Sequence, residues 1–192
     1  MENSEYSPSF KQTDTHLVVM IGWEDAQEFY AWLTLVECGK IKAGQKYRLP
    51  TDAEWSVAVG LGKEKGNTPG EKDEGIKDVY PWGKEWPPPK GAGNYNKSLN
   101  VDSFEYTSPV GSFAANAHGL HDMGGNVWEW CEDKWNPTVT GLGMSWRVYR
   151  GASWYSRTSG GLLSSYRKIP AVAGHYSPIR GFRCVLTNGP GG

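Results

Sequence analysis

The chain is poor in cysteine. It has three thiols in 192 residues, Cys38, Cys131 and Cys184. No two of them form a Cys-x-x-Cys pair, so a disulfide framework is excluded and the thiols read as free groups of a reducing compartment. Net charge is equally scarce. Twenty basic residues stand against 21 acidic ones, for a net charge of −1. That excludes the basic footprint of a general nucleic-acid binder or of a protein drawn to anionic membranes. Long apolar runs are missing too. Residues 17–21, Leu-Val-Val-Met-Ile, are the longest aliphatic run, far short of the ~20 residues that span a bilayer. The first ten residues show no basic segment followed by an apolar one. No secretory leader is therefore expected, and the cytoplasm is the default compartment.

What the chain has in excess is Gly, with 25 residues, and Pro, with 12, beside ten Trp, ten Tyr and five Phe. Such Gly and Pro content is well above average usage. Disordered chains share it but lack aromatics. The combination excludes a helical bundle, a coiled coil and a disordered tail, and points to one compact, loop-rich domain with many special backbone conformations. The organisation expected is a flexible lead-in at 1–14, a single domain at 15–187 and a short tail at 188–192.

Residues 15–21 read as a strand. In 23–37, Ala26, Phe29, Tyr30, Leu33 and Val36 recur at three- and four-residue steps, which predicts an amphipathic helix stopped near Gly39. Residues 47–60 predict a second helix, because Thr51 and Glu54 have the spacing of a capping box. The Pro- and Gly-rich stretch 61–93 predicts a long ordered loop. From residue 94 helical periodicity is lost, and NVWEWCED, WRVYRGASW, LLSSYR and GFRCVL become strand candidates between turn residues. The fold class expected is α+β, two early helices followed by irregular β structure.

Chemistry concentrates in two places. The segment 118–133, HGLHDMGGNVWEWCED, offers Asp122, Asn126, Glu129, Glu132 and Asp133 as hard oxygen ligands, and Gly124 and Gly125 let carbonyls turn inward. Such a mixture suits Ca²⁺, although Asx and Gly also simply make turns. Residues 94–104, NYNKSLNVDSF, repeat the pattern with Asn94, Asn96, Asn100 and Asp102. His118 and His121 are three apart, but the intervening Gly-Leu describes a turn and not a helix face with zinc-ligand spacing. No GxSxG elbow, Walker or dinucleotide motif occurs. The second place is 155–180, rich in Tyr, Ser, Arg, Gly and His like an antibody paratope. It reads either as a displayed surface or as ordinary loop.

The motifs WEDAQEFYAWL, YRLPTDAEW, YPWG, GNY, PVGSFAANAHGLHDMGGNVWEWCED, RVYRGASW and GFRCVL, in that order, resemble the formylglycine-generating enzyme (sulfatase-modifying factor) family over roughly residues 17–187. The resemblance implies a C-type lectin-like fold with little regular secondary structure, two helices and short antiparallel strands. It implies two calcium sites: Asn94 and Asp102 by side chain with Tyr95 and Phe104 by carbonyl, and Asp122 and Glu129 by side chain with Gly125 and Val127 by carbonyl. Active members oxidise a sulfatase cysteine with O₂, using copper on two cysteines after the Gly-x-Ser-aromatic motif. Here that motif is Gly151-Ala152-Ser153-Trp154, and the thiol positions hold Ser156 and Gly161. A soft Cu(I) site needs thiolates, so no copper and no formylglycine chemistry are expected.

The tail also resembles the variable proteins of diversity-generating retroelements, through GASW, LSSYR and GFRCV. That resemblance implies a non-catalytic binding module. Its variable surface would include Trp154, Tyr155, Ser156, Arg157, Thr158, Ser159, Tyr166, Ile169, Val172, His175 and Tyr176, aimed at a protein or other macromolecular ligand, with neither nucleic acid nor membrane insertion involved. Two other readings stay open: an enzyme of the same superfamily with altered chemistry, and a regulatory domain of a larger protein. Trp23, Trp55, Trp82, Trp128, Trp130 and Trp154 fall within the family motifs and are expected in the scaffold core.

Overall fold

The computed structural model describes residues 7–136, 146–168 and 176–188. The first helix, α1 (Trp23–Val36), begins where the Asp25 carboxylate accepts the Gly22 backbone N–H at 2.7 Å. It ends before the expected glycine, on Glu37, whose N–H donates to the Leu33 carbonyl. Its buried stripe is narrower than the periodicity suggests. Ala26 and Tyr30 are buried, whereas Phe29 and Val36 are exposed, because the helix packs one side against the two-residue strand β1 (Tyr47–Arg48) and leaves the outer flank in solvent.

The second helix, α2 (Asp52–Ala58), is shorter than predicted but starts on the expected cap. The Thr51 hydroxyl accepts the Glu54 N–H at 3.1 Å, and the Glu54 carboxylate accepts the Thr51 N–H at 2.8 Å. Arg48 also grips Glu54 through both guanidinium nitrogens, at 2.6 and 2.7 Å, and holds its carboxyl down to about 2. The long segment 61–93 is loop, as expected, interrupted by one short helix, α3 (Pro69–Lys72), with a Thr68/Glu71 capping box of its own.

The core is organised by β2 (Trp128–Lys134). It pairs antiparallel with β3 (Arg147–Arg150) and, through Trp128 and Glu129, parallel with β4 (Arg180–Gly181). A separate antiparallel ribbon joins β1 to β5 (Val185–Leu186). Trp128 to Cys131 are all buried. Alternation along the strand sends Trp128 and Trp130 into a cluster with Tyr30, Leu49, Tyr95 and Tyr149, and Cys131 into a second cluster with Trp55, Met123 and Val148. Trp55, Trp128 and Trp130 are therefore core, as expected. Trp23 and Trp82 pack on the first cluster from its edge, and Trp154 is not core but half-exposed.

Two strand expectations need correction. Residues 15–21 make only an isolated bridge, His16 to Pro109, because Met20 takes a left-handed backbone conformation (φ 58°) that cannot continue a ladder. Residues 163–167 are not a strand either. A 3₁₀ turn at Gly160–Leu162 leads into a buried bend that ends at the Tyr149–Lys168 bridge.

That bend carries the most heavily bonded charge in the molecule. Arg167, fully buried, reaches Asp52 at 2.9 Å and Glu64 at 2.8 Å, and Arg150, equally buried, ion-pairs with Asp52 and lies 4.5 Å above the Trp55 ring. The Ser56 hydroxyl receives hydrogen bonds from both arginines and donates to Glu64. Burial alone would raise the Asp52 carboxyl. The two guanidiniums outweigh it and hold the group below its ordinary range. The network ties α2, the 61–68 loop, β3 and the 163–167 bend together.

Candidate functional site

After β3 the chain turns at Gly151, where φ is +96° and a Cβ would stand 3.1 Å from the Trp55 ring, and at Ala152, which is also left-handed. This turn delivers Ser153 into the interior and Tyr155 to the surface. Ser153 N–H donates to the Ser156 hydroxyl at 3.1 Å, Tyr155 N–H donates to the Ser153 hydroxyl at 3.3 Å, and the two hydroxyl oxygens lie 3.4 Å apart. The turn is clamped from outside as well. Trp154 N–H donates to the Asn126 carbonyl at 2.9 Å, Asn96 N–H donates to the Ser156 carbonyl at 3.0 Å, and Trp154 Nε1 donates to the Pro178 carbonyl at 3.2 Å. A fixed main chain thus presents Tyr155, which is 63% exposed, and the exposed Arg157, Thr158 and Ser159, with Ser156 half-buried among them.

Behind these residues lies a cleft of about 190 Å³, walled by Trp128, Tyr166, Ser156, Arg157, Gly161 and Lys168 among others. Tyr166 is half-buried beside Trp128, with ring centroids 5.8 Å apart. The region is not one continuous displayed surface, however. Leu162 to Ser165 and Arg167 are buried, and Tyr176 is half-buried. Ile169, Val172 and His175 lie outside the described residues. Composition alone did not reveal a strip of rings beside the cleft. Phe10 stacks on Tyr106 at 4.5 Å, Tyr106 meets Trp154 edge-on at 5.2 Å, and Trp154 meets Tyr155 at 5.8 Å. The strip also anchors the second half of the lead-in, where Gln12 donates to the Leu17 carbonyl and the Thr107 hydroxyl.

The two oxygen-rich turns are built around Gly125. Its φ is +84°, and a Cβ would fall 2.4 Å from the Asn94 carbonyl oxygen, which instead accepts the Asn126 N–H at 2.8 Å. In the first turn Asp102 accepts the Tyr95 and Phe104 N–H groups at 3.0 and 2.8 Å, and Asn94 donates to the Tyr106 carbonyl at 2.7 Å. Asn94 Oδ1 is buried without a partner. In the second turn Asp122 accepts the Gly111 N–H through Oδ2, while its Oδ1 is buried and unpartnered. Burial pushes the Asp122 carboxyl up. Glu129 accepts Trp55 Nε1 at 2.8 Å and both arms of Arg183 at 2.6 Å, and Arg183 also donates to the His121 and Asp122 carbonyls. Among the described residues no three His, Cys, Asp or Glu side chains converge on one point. Any cation here would need amide and carbonyl oxygens beside the carboxylates.

A half-irregular α+β domain built on two small sheets, with a clamped turn after the central strand, is the C-type lectin-like fold of the formylglycine-generating enzyme type. The chain belongs to that family: the Sulfatase-modifying factor enzyme 1-like domain matches residues 2–188. It is 32% identical over 181 residues to the "Inactive C-alpha-formylglycine-generating enzyme 2" of Mus musculus, covering 90% of this chain and 49% of that protein. It is also 32% identical over 202 residues to the "Formylglycine-generating enzyme" of Streptomyces coelicolor, covering 91% and 55%. The chain thus spans about half the length of the curated relatives it matches. Among solved structures, PvdO from Pseudomonas aeruginosa superposes with a TM-score of 0.62 at 25% identity, covering 93% of this chain and 64% of that one. Treponema denticola variable protein 1 superposes with a TM-score of 0.65 at 21% identity, covering 93% and 74%, a likeness of fold. No helix among the described residues is long and apolar enough to cross a membrane.

Proposed function

We propose that the chain is a non-catalytic ligand-binding module. A rigid lectin-like scaffold presents Tyr155, Ser156, Arg157, Thr158 and Ser159 beside the cleft, in the manner of a variable protein of a diversity-generating retroelement. One observation carries this reading. Ser156 and Gly161, which stand where the family resemblance puts the copper thiolates, both line the cleft. None of the three cysteines does. Cys131 is buried in the Trp55 cluster, and Cys38 and Cys184 are exposed elsewhere. Hydroxyl and hydrogen do not replace thiolates for Cu(I).

Calcium belongs to the scaffold in this reading. The unpartnered oxygens of Asn94 and Asp122 fit it. A carboxylate has about four lone-pair sites, so the three donors on Glu129 leave room for one more contact. Asn94, Asp102 and the Tyr95 and Phe104 carbonyls would hold one ion, and Asp122, Glu129 and the Gly125 and Val127 carbonyls a second. Bound there, the ions supply charge that pins loops and take no part in a reaction.

Competition for Cu(I) against a chromophoric chelator tests the reading. The chain is expected to take none, and the double variant Ser156→Cys/Gly161→Cys to gain a site. One tightly held Cu(I) per unaltered chain would overturn it. The flanking DNA tests the retroelement version: a reverse-transcriptase gene and a near-copy of the codons for 150–185 differing at adenines are expected. Absence of both would leave a binding module without diversification.

A further inference from the structure

The cleft is supplied with donors, and among the described residues no carboxylate lines it. From Lys134 to Gly192 the chain contains eight Lys and Arg and not one Asp or Glu. Most of these cations are engaged in the scaffold. Arg150 and Arg167 hold Asp52 and Glu64, Arg183 holds Glu129, Arg147 stacks 3.7 Å above Trp23, and Arg180 lies 4.9 Å over Tyr149. Two remain at the cleft. Arg157 is exposed, and Lys168 is half-buried with its ammonium 5.8 Å over Trp128. Neither has an ion-pair partner among the described residues. Two carboxylates reach this region without lining the cleft: Asp73 accepts the Arg167 N–H at 2.6 Å, and Glu74 pairs with Lys77 at 2.7 Å.

The hydroxyls point the same way. Ser153 and Ser156 each accept a backbone N–H, so their oxygens are already used as acceptors. One O–H bridges the pair, and the other has no acceptor among the described residues. Thr158 likewise accepts from Gly161 N at 3.3 Å and keeps its own proton to donate. Two cations and two uncommitted O–H donors with no opposing carboxylate select an oxyanion. At about 190 Å³ the cleft falls below the ~300–1,000 Å³ of sites for whole small molecules, and is sized for a side chain. The rings of Tyr155, Trp154 and Tyr106 continue from its rim and offer contact area to the residues flanking such a side chain.

We propose that the cleft between Arg157 and Lys168 receives a carboxylate side chain from an acidic segment of a protein partner. The proposal rests on the binding-module reading and adds the chemistry of the ligand.

The test uses the full chain, labelled with ¹⁵N, and three probes: a capped peptide of alternating Glu and Leu, its Gln/Leu counterpart, and sodium acetate. The Glu peptide is expected to shift amides within 153–168 and to bind more weakly as salt rises. It should lose at least about tenfold in affinity against Arg157→Ala/Lys168→Ala, with the unfolding midpoint of that variant unchanged. Acetate should act at the same amides but far more weakly. Equal binding of the Gln peptide overturns the carboxylate assignment while the binding-module reading stands. Acetate binding as tightly as the peptide overturns the protein segment in favour of a free anion. Shifts lying elsewhere, or no binding by any probe, overturn the proposal outright, whereas only Cu(I) in the cleft removes the module reading with it.

Discussion

Residues 155–159 and 163–167 are separated by a single 3₁₀ turn and live in opposite environments. The first group is held by its main chain, and most of its side chains meet water. In the second, every side chain except that of Tyr166 is buried, and Arg167 is held by two carboxylates. A surface can vary freely only where position is set by backbone bonds, because side chains that set position cannot be exchanged. The clamp through Asn96 and Asn126 meets that condition for the first group. The Asp52–Arg167–Glu64 network denies it to the second.

The largest effect expected is from Asp52→Ala or Arg167→Ala. Each leaves an uncompensated buried charge and should cost about 3–5 kcal/mol in denaturant unfolding. A loss under 1 kcal/mol would erase the contrast between the two groups. Next comes calcium. At a hundredfold excess over Kd each occupied site should add about 2.7 kcal/mol, read as a rise in melting temperature that a chelator reverses. Asn94→Ala and Asp122→Ala would each remove one increment, and a melting temperature indifferent to calcium would count against both sites.

Acid sensitivity follows from the depressed carboxyls of Asp52, Glu54 and Glu64. A carboxyl whose folded value lies below its unfolded value contributes stability that is complete above the unfolded value and disappears as pH falls through the folded one. For Glu54 that window runs from 4.5 to about 2, so Glu54→Gln should flatten the stability profile there. The smallest effects should come from Tyr155→Ala, Thr158→Ala and Ser159→Ala, each within about 0.5 kcal/mol of the parent. A larger loss at any of them would show that the displayed group helps to hold the scaffold.

Local signals in the sequence suffice where one short motif makes its own structure. Thr51 and Glu54 form their box, and Gly125 turns where no side chain fits. The Trp-Glu-Trp-Cys strand is buried throughout. Signals that depend on distant partners mislead. The aliphatic run 17–21 has strand composition, but one left-handed residue, Met20, interrupts it. The run 163–167 carries small polar residues and an arginine, which resemble a surface. Burial there depends on Asp52 and Glu64, more than 100 positions away, and no local pattern announces an ion pair across that distance. The strip from Phe10 to Tyr155 has no local signature for the same reason, since its rings come from three separate stretches of chain.

The ribbon that joins residues 47–48 to 185–186 is the most non-local strand pairing among the described residues. Tyr30 must find the Arg183 carbonyl, and Tyr47 must find Leu186, across loops of well over 100 residues. Closing such loops costs entropy before any contact forms, and chains dominated by non-local pairing fold slowly. The first cluster therefore stays open on its α1 side until Phe182 and Arg183 arrive, whereas the Trp55 cluster, whose last buried member is Val148, can close earlier.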